Sequence, residues 1–405
     1  MASVSFDDIA AAAAVLAPVI VRTPCAPSTT LSSITGANVW CKFENLQYTA
    51  SFKERGARWF LEGMDEQQRS LGVVAASAGN HAQGLAHHAK LLGVNATVVM
   101  PEGTPFTKIS RTELSGATVE IHGAHFAEAA ERAFQIATTT GATFVPAFDS
   151  ERIIAGQGTI AIEMLEQVPE LDTLVVPIGG GGLIAGIAVA AKALRPDISI
   201  VGVQVASHAA MAQLTHPNSL IAATLAGGAT IAEGIAVTTP GSLTTTICRE
   251  LVDDIIVVEE QAIEEAVGLF LEIEKVVVEG AGAAGLAALL EAPHAFTDRN
   301  CGIVVSGGNI DLRVLSSVIM RALARTGRIV HYRLEIPDRP GVLASVATVV
   351  GNTGGNIIDV EHHRDRPGVP LRETVLEVSV ETRDREHANR IGAMLAAQGF
   401  TVTSA

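Results

Sequence analysis

The sequence has few aromatic residues, few cysteines and an excess of negative charge, and each feature excludes a class of protein. Only 4% of the 405 residues are aromatic while 38 are glycine, which suits close packing of helices on a sheet better than an all-β sandwich. A net charge of −15 disfavours both nucleic acids and anionic membranes as partners. A hydrophobic content of 48% gives enough core for two or three domains.

The cysteines and the N-terminal segment argue against a secreted protein. The cysteines lie far apart without a Cys-x-x-Cys pair, so they predict neither a disulfide framework nor a zinc site (Cys25, Cys41, Cys248 and Cys301). The apolar run 9–21 is too short to span a bilayer, and no Lys or Arg precedes Arg22, as a secretory signal would require. We therefore expect a packed helix there, in a cytoplasmic protein that binds no metal ion.

Short apolar runs alternate with helical segments from about Gly72 onward. Runs of this length, bounded by Gly, Pro or Ser, predict buried parallel strands joined by helical crossovers. The predicted strands are 72–77, 95–101, 117–123, 173–178, 199–205 and 301–306. The expected fold class is α/β with doubly wound sheets, whose ligands bind beyond the carboxyl ends of the strands.

The pattern changes near Arg328, where strands begin to alternate polar and apolar residues. A helix with Pro near its start and Gly after its end follows the first of these strands. The whole segment 329–405 has the order βαββαβ, which predicts a ferredoxin-like α+β module. The sequence therefore predicts a large catalytic body followed by a small appendage.

Lys53 follows a segment with the form of a capping box. Ser51 would be the N-cap and Glu54 the third helical residue, so that Lys53 falls in the first turn. The helix dipole disfavours an ammonium group at that place and lowers the pKa of the lysine. A neutral lysine is a nucleophile that condenses with carbonyl groups. A lysine in a single capping box more often points to solvent. Whether Lys53 is a nucleophile must therefore be judged from other segments of the sequence.

Four consecutive glycines, Gly179–Gly182, lie between a predicted strand and a predicted helix. Glycine lets the backbone approach a ligand closely, and a helix N-terminus offers free N–H groups to an anion, so this loop predicts a phosphate site. A Walker A loop is excluded because no lysine follows Gly186. A dinucleotide fingerprint nearly fits, but Gln204 stands where its acidic residue is expected. Dinucleotide binding is therefore disfavoured and stays open.

Two further loops at the ends of predicted strands carry small and polar residues. The segment 77–93 has an amide at the start of its helix, and its backbone N–H groups would bind a carboxylate. Its histidines lack the spacing of paired metal ligands. The segment 306–309 ends another strand with a hydroxyl and two glycines. All these loops lie at the ligand-binding ends of predicted strands.

Taken in order, the segments 45–57, 77–84, 177–186 and 306–309 resemble the fold-type II pyridoxal-phosphate enzymes, and most closely the threonine ammonia-lyase (threonine dehydratase) group. The resemblance covers roughly residues 5–322, and the C-terminal segment resembles an ACT domain. It implies pyridoxal 5′-phosphate (PLP) as cofactor. It further implies a catalytic domain 1–322 with a small lobe at about 48–148, a regulatory domain 329–405, and a homodimer or homotetramer.

The resemblance also implies roles for single residues. Lys53 would bind the cofactor covalently and act as the base for the α-proton of the substrate, Phe52 would pack against the cofactor ring, and Ser306 would face the pyridine nitrogen. The phosphate would be held by Gly179, Gly180, Gly181, Gly182 and Leu183. The substrate carboxylate would be held by Ser77, Ala78, Gly79, Asn80 and His81, with Asn80 also bonding the ring oxygen. An amino-acid effector would bind near Asp338, Gly341, Asn356 and Ile357.

The activity implied is deamination of L-threonine to 2-oxobutanoate and ammonia, and also of L-serine to pyruvate. The role in the cell, biosynthesis of isoleucine or catabolism, stays open. A serine-preferring dehydratase or hydroxyamino-acid racemase of the same fold is the alternative, and Ala78 and Gln204 count against it. Related serine racemases have a serine and a cation-binding acid at these two positions. An amino-acid sensor with a degenerate catalytic half is disfavoured by the intact Lys53 and Ser306.

Overall fold

The structure is a computed structural model that describes residues 4–217, 227–364 and 372–404. The chain divides after Asp311 into two compact units, and parts of the predicted domains 1–322 and 329–405 lie outside the described residues. Helix Leu312–Arg325 belongs to the second unit by its contacts. The predicted domain limits themselves stay predictions.

Helices and strands alternate along the first unit. Its helices are α1 (Phe6–Leu16), α2 (Thr29–Thr35), α3 (Lys53–Glu62), α4 (Glu66–Leu71), α5 (Asn80–Leu91), α6 (Phe106–Leu114), α7 (Phe126–Thr140), α8 (Glu151–Gln167), α9 (Gly182–Leu194), α10 (Ala210–Thr215), α11 (Ser242–Leu251), α12 (Glu260–Leu269) and α13 (Gly280–Glu291). Its strands are β1 (Cys25–Ser28), β2 (Asn38–Phe43), β3 (Val73–Ala76), β4 (Ala96–Met100), β5 (Thr118–Ile121), β6 (Thr143–Phe144), β7 (Thr173–Pro177), β8 (Ser199–Val205), β9 (Asp254–Val258) and β10 (Asn300–Val305).

The first unit contains two separate sheets. The larger has the order β1-β2-β10-β7-β8-β9 and is parallel except for the β1–β2 pair. The smaller has the order β5-β4-β3-β6 and is parallel throughout. The six strands predicted from apolar runs are all present, which confirms the α/β class. The sequence analysis missed β1, β2, β6 and β9, because these strands lack a long apolar run with clear boundaries.

The centre of the larger sheet forms the main core. All five residues of β7 are buried, as expected for a parallel strand covered by helices on both faces. The helices α8 and α9 cross at glycines, since a Cβ on Gly186 would lie 2.2 Å from the backbone oxygen of Ile154. This close packing explains why a chain so rich in glycine and poor in aromatics forms a dense core. No helix in the described ranges is long and apolar enough to cross a membrane.

A buried group of charged side chains ties α3, the helix that begins with Lys53, to the larger sheet. Arg55 donates to both carboxylate oxygens of Glu44 at 2.8 Å and to those of Glu163 at 2.6 and 2.9 Å. Lys42 donates to Glu163 at 2.5 Å and to the backbone oxygen of Thr23 at 2.7 Å. Burial works against the charge of Glu44, but Arg55 outweighs it and lowers the pKa of that carboxylate.

The second unit has one antiparallel sheet of order β12-β13-β11-β14. Its elements are α14 (Leu312–Arg325), β11 (Ile329–Pro337), α15 (Val342–Asn352), β12 (Asn356–His363), β13 (Glu373–Glu381), α16 (Arg385–Ala397) and β14 (Thr401–Ser404). The apolar residues of α15 and α16 pack on one face of this sheet. The sequence from β11 to β14 is βαββαβ, which confirms the predicted ferredoxin-like module.

Candidate active site

A cavity of about 560 Å³ opens at the carboxyl ends of strands from both sheets of the first unit. It collects the loops after β3, β7 and β10, together with the start of α3. The lining includes most residues that the sequence analysis selected for a cofactor: Phe52, Lys53, Ser77, Gly79, Asn80, His81, Gly179, Gly180, Gly181, Gly182, Leu183 and Ser306. Segments up to about 250 residues apart in the chain thus meet around one space, as expected for this fold class.

Lys53 lies in the first turn of α3, as predicted, although it is the first helical residue and not the second, and it lines the cavity. Its Nζ donates to the backbone oxygen of Ala147 at 2.8 Å and lies 5.2 Å from the centroid of the Phe52 ring. Burial lowers the pKa of Lys53 to about 8, against a smaller opposing effect of Glu279. A pKa of about 8 makes the amine neutral in roughly a tenth of molecules at pH 7, far more than for an ordinary lysine, and a nucleophile must be neutral.

The capping box predicted at Ser51 and Glu54 is wrong. The Ser51 hydroxyl is buried without a hydrogen-bond partner in the described part of the chain, and Glu54 bonds the backbone N–H of Thr49 and the His88 ring instead. Ser51 instead pairs with Gly307 in an isolated bridge, and Phe52, which has a helical backbone, is the N-cap of α3. Lys53 is thus held by a link to the loop after β10 rather than by a local cap.

Ala50, just before this segment, has a left-handed backbone with φ of 56°. Non-glycine residues rarely adopt this conformation. Its carbonyl accepts a hydrogen bond from the N–H of Gly308 at 2.9 Å, which ties Ala50 to the same loop. Ala50 therefore holds a backbone conformation that favours glycine, and its methyl group is accommodated at the expense of local strain.

The four-glycine loop leads directly into α9 and has the properties of an anion site. A Cβ on Gly180 would lie 2.3 Å from the ring of Phe148, so a larger residue would displace that ring. Gly181 is the N-cap of α9 with φ of 96°, where glycine is favoured. Among the described residues, the N–H groups of Gly179, Gly180 and Gly181 have no protein acceptor. Free N–H groups at a helix N-terminus fit the phosphate of the implied cofactor.

The loop after β3 positions polar groups at the start of α5. The Ser77 hydroxyl accepts from the N–H groups of Gly79 and Ala82 at 3.2 and 3.3 Å. His81 Nε2 lies 3.0 Å from the backbone oxygen of Val145, so this nitrogen carries the proton. Burial lowers the pKa of His81 to about 4, and its ring is therefore neutral at physiological pH.

Two residues singled out by the sequence analysis do not line the cavity. Ala78 packs against the core beneath the smaller sheet. Gln204 is buried, and both ends of its amide are used: Nε2 donates to the backbone oxygen of His208 at 3.1 Å, and Oε1 accepts from the N–H of Ala212 at 2.9 Å. Gln204 thus serves to hold the start of α10.

The sequence analysis missed Glu279 and Asn309, which both contact Asn80. Glu279 lines the cavity and accepts a hydrogen bond from Asn80 Nδ2 at 2.7 Å, while Asn309 Nδ2 donates to Asn80 Oδ1 at 2.8 Å. Burial raises the pKa of Glu279 to about 7. A glutamate before a helix is too common to attract notice, whereas Asn309 stood in a selected motif without an assigned role.

The second unit has a cavity of its own, of about 370 Å³, at the start of α15. Asp338 and Gly341 line it with His362 and Arg364, and Gly341 is the N-cap of α15 with φ of 91°. The other two predicted regulatory residues lie elsewhere. Asn356 donates to Glu381 at 3.1 Å, and Ile357 packs on the core of the module.

Comparison with known proteins gives a consistent result for both units. Residues 16–307 match the model of the family described as pyridoxal-phosphate dependent enzyme, and residues 333–391 match that of the ACT domain. An L-threonine ammonia-lyase of Thermotoga maritima is 41% identical over 399 residues, which cover 98% of this chain and 99% of that protein.

Solved structures of enzymes with two different activities are similar to this chain. Maize serine racemase is 38% identical with a TM-score of 0.72, covering 80% of this chain and 99% of the racemase. The processed form of threonine deaminase isoform 2 from Solanum lycopersicum is 32% identical with a TM-score of 0.72, covering 78% of this chain and 87% of the deaminase. Similarity of fold therefore does not separate the lyase from the racemase, and the site residues must do so.

Proposed function

Because the chain belongs to the pyridoxal-phosphate dependent enzyme family, we propose that it is a lyase that deaminates L-threonine to 2-oxobutanoate and ammonia, and also L-serine to pyruvate and ammonia. The near full-length similarity to an L-threonine ammonia-lyase supports this substrate. The observation that carries the proposal is the presence of Lys53, with its lowered pKa, in the same cavity as the free N–H groups of Gly179, Gly180 and Gly181.

The residues present fit PLP. The free N–H groups of the glycine loop would donate hydrogen bonds to its phosphate, and the amine of Lys53 would bind its aldehyde carbon. Phe52 offers an apolar surface beside the lysine. Ser306 lines the same cavity and is buried, which is compatible with the place beside the pyridine nitrogen that the resemblance to fold-type II enzymes implies. When bound, the cofactor supplies an electron sink for cleaving bonds next to the amino group of the substrate.

We assign the protein's own tasks as follows. The backbone of Ser77–His81 holds the substrate carboxylate at the start of α5, where N–H groups favour an anion. Lys53 removes the α-proton, which its lowered pKa permits near neutral pH. A serine at the pyridine nitrogen cannot stabilise a charged ring as a carboxylate would, which favours loss of the β-hydroxyl over a long-lived carbanion. His81 stays neutral and supports the loop.

The rival function is racemisation of serine, which the similarity to maize serine racemase raises. Racemisation needs an acid on the second face of the substrate, and Ala78, where related racemases carry a serine, has no proton to donate and lies outside the cavity lining. Gln204 has both ends of its amide bonded to the protein, and an amide replaces the carboxylate that would bind a cation. Both observations favour elimination.

The test is a turnover screen of the PLP-loaded enzyme with L-threonine, L-serine and their D-forms. Formation of 2-oxoacids and of D-serine is measured separately. We expect 2-oxobutanoate from L-threonine as the fastest product. A protein that produced D-serine but no 2-oxobutanoate would be a racemase, and one with neither activity and no visible absorbance from PLP would match the sensor hypothesis.

We also propose that the second unit binds a small amino acid and regulates the enzyme. The match of residues 333–391 to the ACT family and the cavity beside Gly341 support a ligand role. A homodimer or homotetramer in the cytoplasm is the state we expect for an enzyme of this family.

A further inference from the structure

Asn80, the amide proposed to bond the cofactor ring, is held at both ends by side chains from distant parts of the chain. Its Nδ2 donates to Glu279 Oε1 at 2.7 Å, and its Oδ1 accepts from Asn309 Nδ2 at 2.8 Å. The partners are 199 and 229 residues away in sequence. The arrangement is therefore a product of the tertiary fold and not of the loop that carries Asn80.

Asn309 determines which way the Asn80 amide is turned. Its Nδ2 also donates to the backbone oxygen of Thr49 at 2.7 Å. Turning the Asn309 amide over would place its oxygen against the carbonyl oxygen of Thr49, which repels it, so its nitrogen must face both neighbours. Asn80 consequently presents its oxygen to Asn309 and its nitrogen to Glu279.

Glu279 is placed to receive that nitrogen. Its own backbone N–H donates to the oxygen of Gly307 at 3.0 Å, at the start of α13. A Cβ on Gly307 would lie 2.3 Å from Glu279 Oε1, so the glycine leaves the space that the carboxylate fills. Lys53, Lys108 and Glu233 are the other charged groups that act on Glu279. Whether ionised or protonated, the Glu279 carboxyl group keeps an oxygen that accepts from Asn80.

We infer that Glu279 and Asn309 are positioning residues that keep the nitrogen of Asn80, rather than its oxygen, turned toward the ring oxygen of the cofactor. The Asn80 nitrogen has two N–H groups, of which Glu279 uses one, so the other is available to the ring oxygen. Without the carboxylate only Asn309 holds the amide, so the turned form, which presents an oxygen that the ring oxygen repels, becomes more populated. This inference rests on the proposed function, because it requires PLP in the cavity.

The test is a double-mutant cycle on the binding of PLP. Glu279→Gln, Asn80→Ala and the double variant are prepared without cofactor and titrated with PLP, at a pH about two units above the pKa of Glu279. Glutamine has nearly the same shape as glutamate but carries no charge. Either its side-chain oxygen or its side-chain nitrogen can face Asn80, so it no longer selects the nitrogen of Asn80. We expect Glu279→Gln to raise the dissociation constant of PLP about fivefold when Asn80 is present, and less than about twofold when it is alanine.

An equal effect of Glu279→Gln in both backgrounds would overturn the inference, since it would show that Glu279 acts without Asn80. Glu291→Gln is the matched control: this carboxylate lies at the other end of α13, accepts one backbone N–H from Glu259 at 3.0 Å, and should leave PLP binding unchanged. Thermal unfolding of each cofactor-free variant shows whether it folds. If Glu279→Gln does not fold, Asn309→Ala takes its place in the cycle, with the same expectation.

The outcome separates this inference from the proposed function. A wild-type protein that neither binds PLP nor deaminates threonine contradicts the proposed function itself. A wild-type protein that does both, combined with an additive cycle, contradicts only the positioning roles of Glu279 and Asn309.

Discussion

The role proposed for Lys53 rests on its place in the cavity and on burial, which lowers the pKa of its amine. Lys53→Ala should abolish both the visible absorbance of bound PLP and threonine deamination, while the cofactor-free protein unfolds at nearly the same temperature. Lys90→Ala, which removes an exposed lysine of α5, is the control and should keep both properties. Normal deamination by Lys53→Ala would remove Lys53 from the mechanism.

The lowered pKa of Lys53 predicts a pH dependence for loading of the cofactor. Protonated lysine does not attack an aldehyde, and the pKa of Lys53 lies at about 8 instead of 10.5. The rate at which cofactor-free protein gains visible absorbance with PLP should therefore rise with pH and reach half its maximum near pH 8. Stopped-flow absorbance measures this rate. A midpoint at the ordinary lysine pKa would show that the amine is solvated before PLP binds.

Ala78 and Gln204 predict a lyase without racemase activity. The methyl of Ala78 cannot reprotonate the second face of the substrate, and Gln204 provides an amide that is already bonded. We expect negligible D-serine from L-serine, and no loss of deamination when a chelator removes magnesium and calcium. Chiral chromatography of the product and a chelator series measure the two effects. Efficient D-serine formation, or inactivation by the chelator, would contradict the assignment.

At the scale of single residues, local patterns singled out Lys53 by its first-turn position and the glycines by their place between a strand and a helix, whereas the resemblance supplied the cofactor roles of Asn80 and Ser306. The sequence predicted the direction of the Lys53 pKa shift through the helix dipole, whereas burial is the first cause in the structure. Neither the local patterns nor the resemblance assigned a role to Glu279 or Asn309. Their contacts with Asn80 depend on loops brought together only by folding.

Helix α3, which begins with Lys53, is fixed to the larger sheet by the buried side chain of Arg55. Arg55→Ala would leave Glu44 as a buried charge without its main partner. The free energy of unfolding should fall by about 3–5 kcal/mol, as is typical when one member of a buried ion pair is removed. Chemical denaturation of the cofactor-free protein measures it.

Arg22→Ala provides the matched control for Arg55. Arg22 also pairs with a glutamate, Glu166, at 2.9 Å, but both side chains are 56% exposed. An exposed pair contributes about 0–1 kcal/mol, so this variant should unfold almost as the wild type does. Equal losses in the two variants would show that the buried group does not hold α3 in place.

At the scale of helices and strands, periodicity predicted the parallel strands and the βαββαβ module because their apolar patterns are local. The capping box before α3 was wrong because a local rule was applied to residues whose backbone pairs with a distant loop, Ser51 with Gly307. Strand β6 was missed because it has only two residues, and β9 because its apolar run is flanked by acidic residues and not by Gly, Pro or Ser.

For the molecule as a whole, the second unit predicts a response to an amino-acid effector. Isoleucine, valine, leucine and serine are titrated against the intact enzyme, and at least one should shift its threonine saturation curve. An effector can do so only if it binds the active and inactive states with different affinity. A chain ending near Thr326 should lose the shift.

Point variants in the intact chain sharpen this test. Asp338 lines the cavity at the start of α15, whereas Asn356 bonds Glu381 outside that lining. Asp338→Ala should therefore weaken the response to the effector, and Asn356→Ala should keep it. If no amino acid changes the saturation curve of the intact enzyme, the module has a structural role only.

The glycine loop before α9 has a consequence for hydrogen exchange. The N–H groups of Gly179, Gly180 and Gly181 have no protein acceptor in the described structure, so their protection depends on a bound ligand. Without a bound anion, these three amide protons lack hydrogen-bond protection, so we expect them to exchange with solvent faster than in the occupied site. With a phosphate in place they become slow. The exchange rates of three amide protons therefore report whether an anion occupies the cavity. They do so even in a variant without Lys53, in which bound PLP would give no visible absorbance.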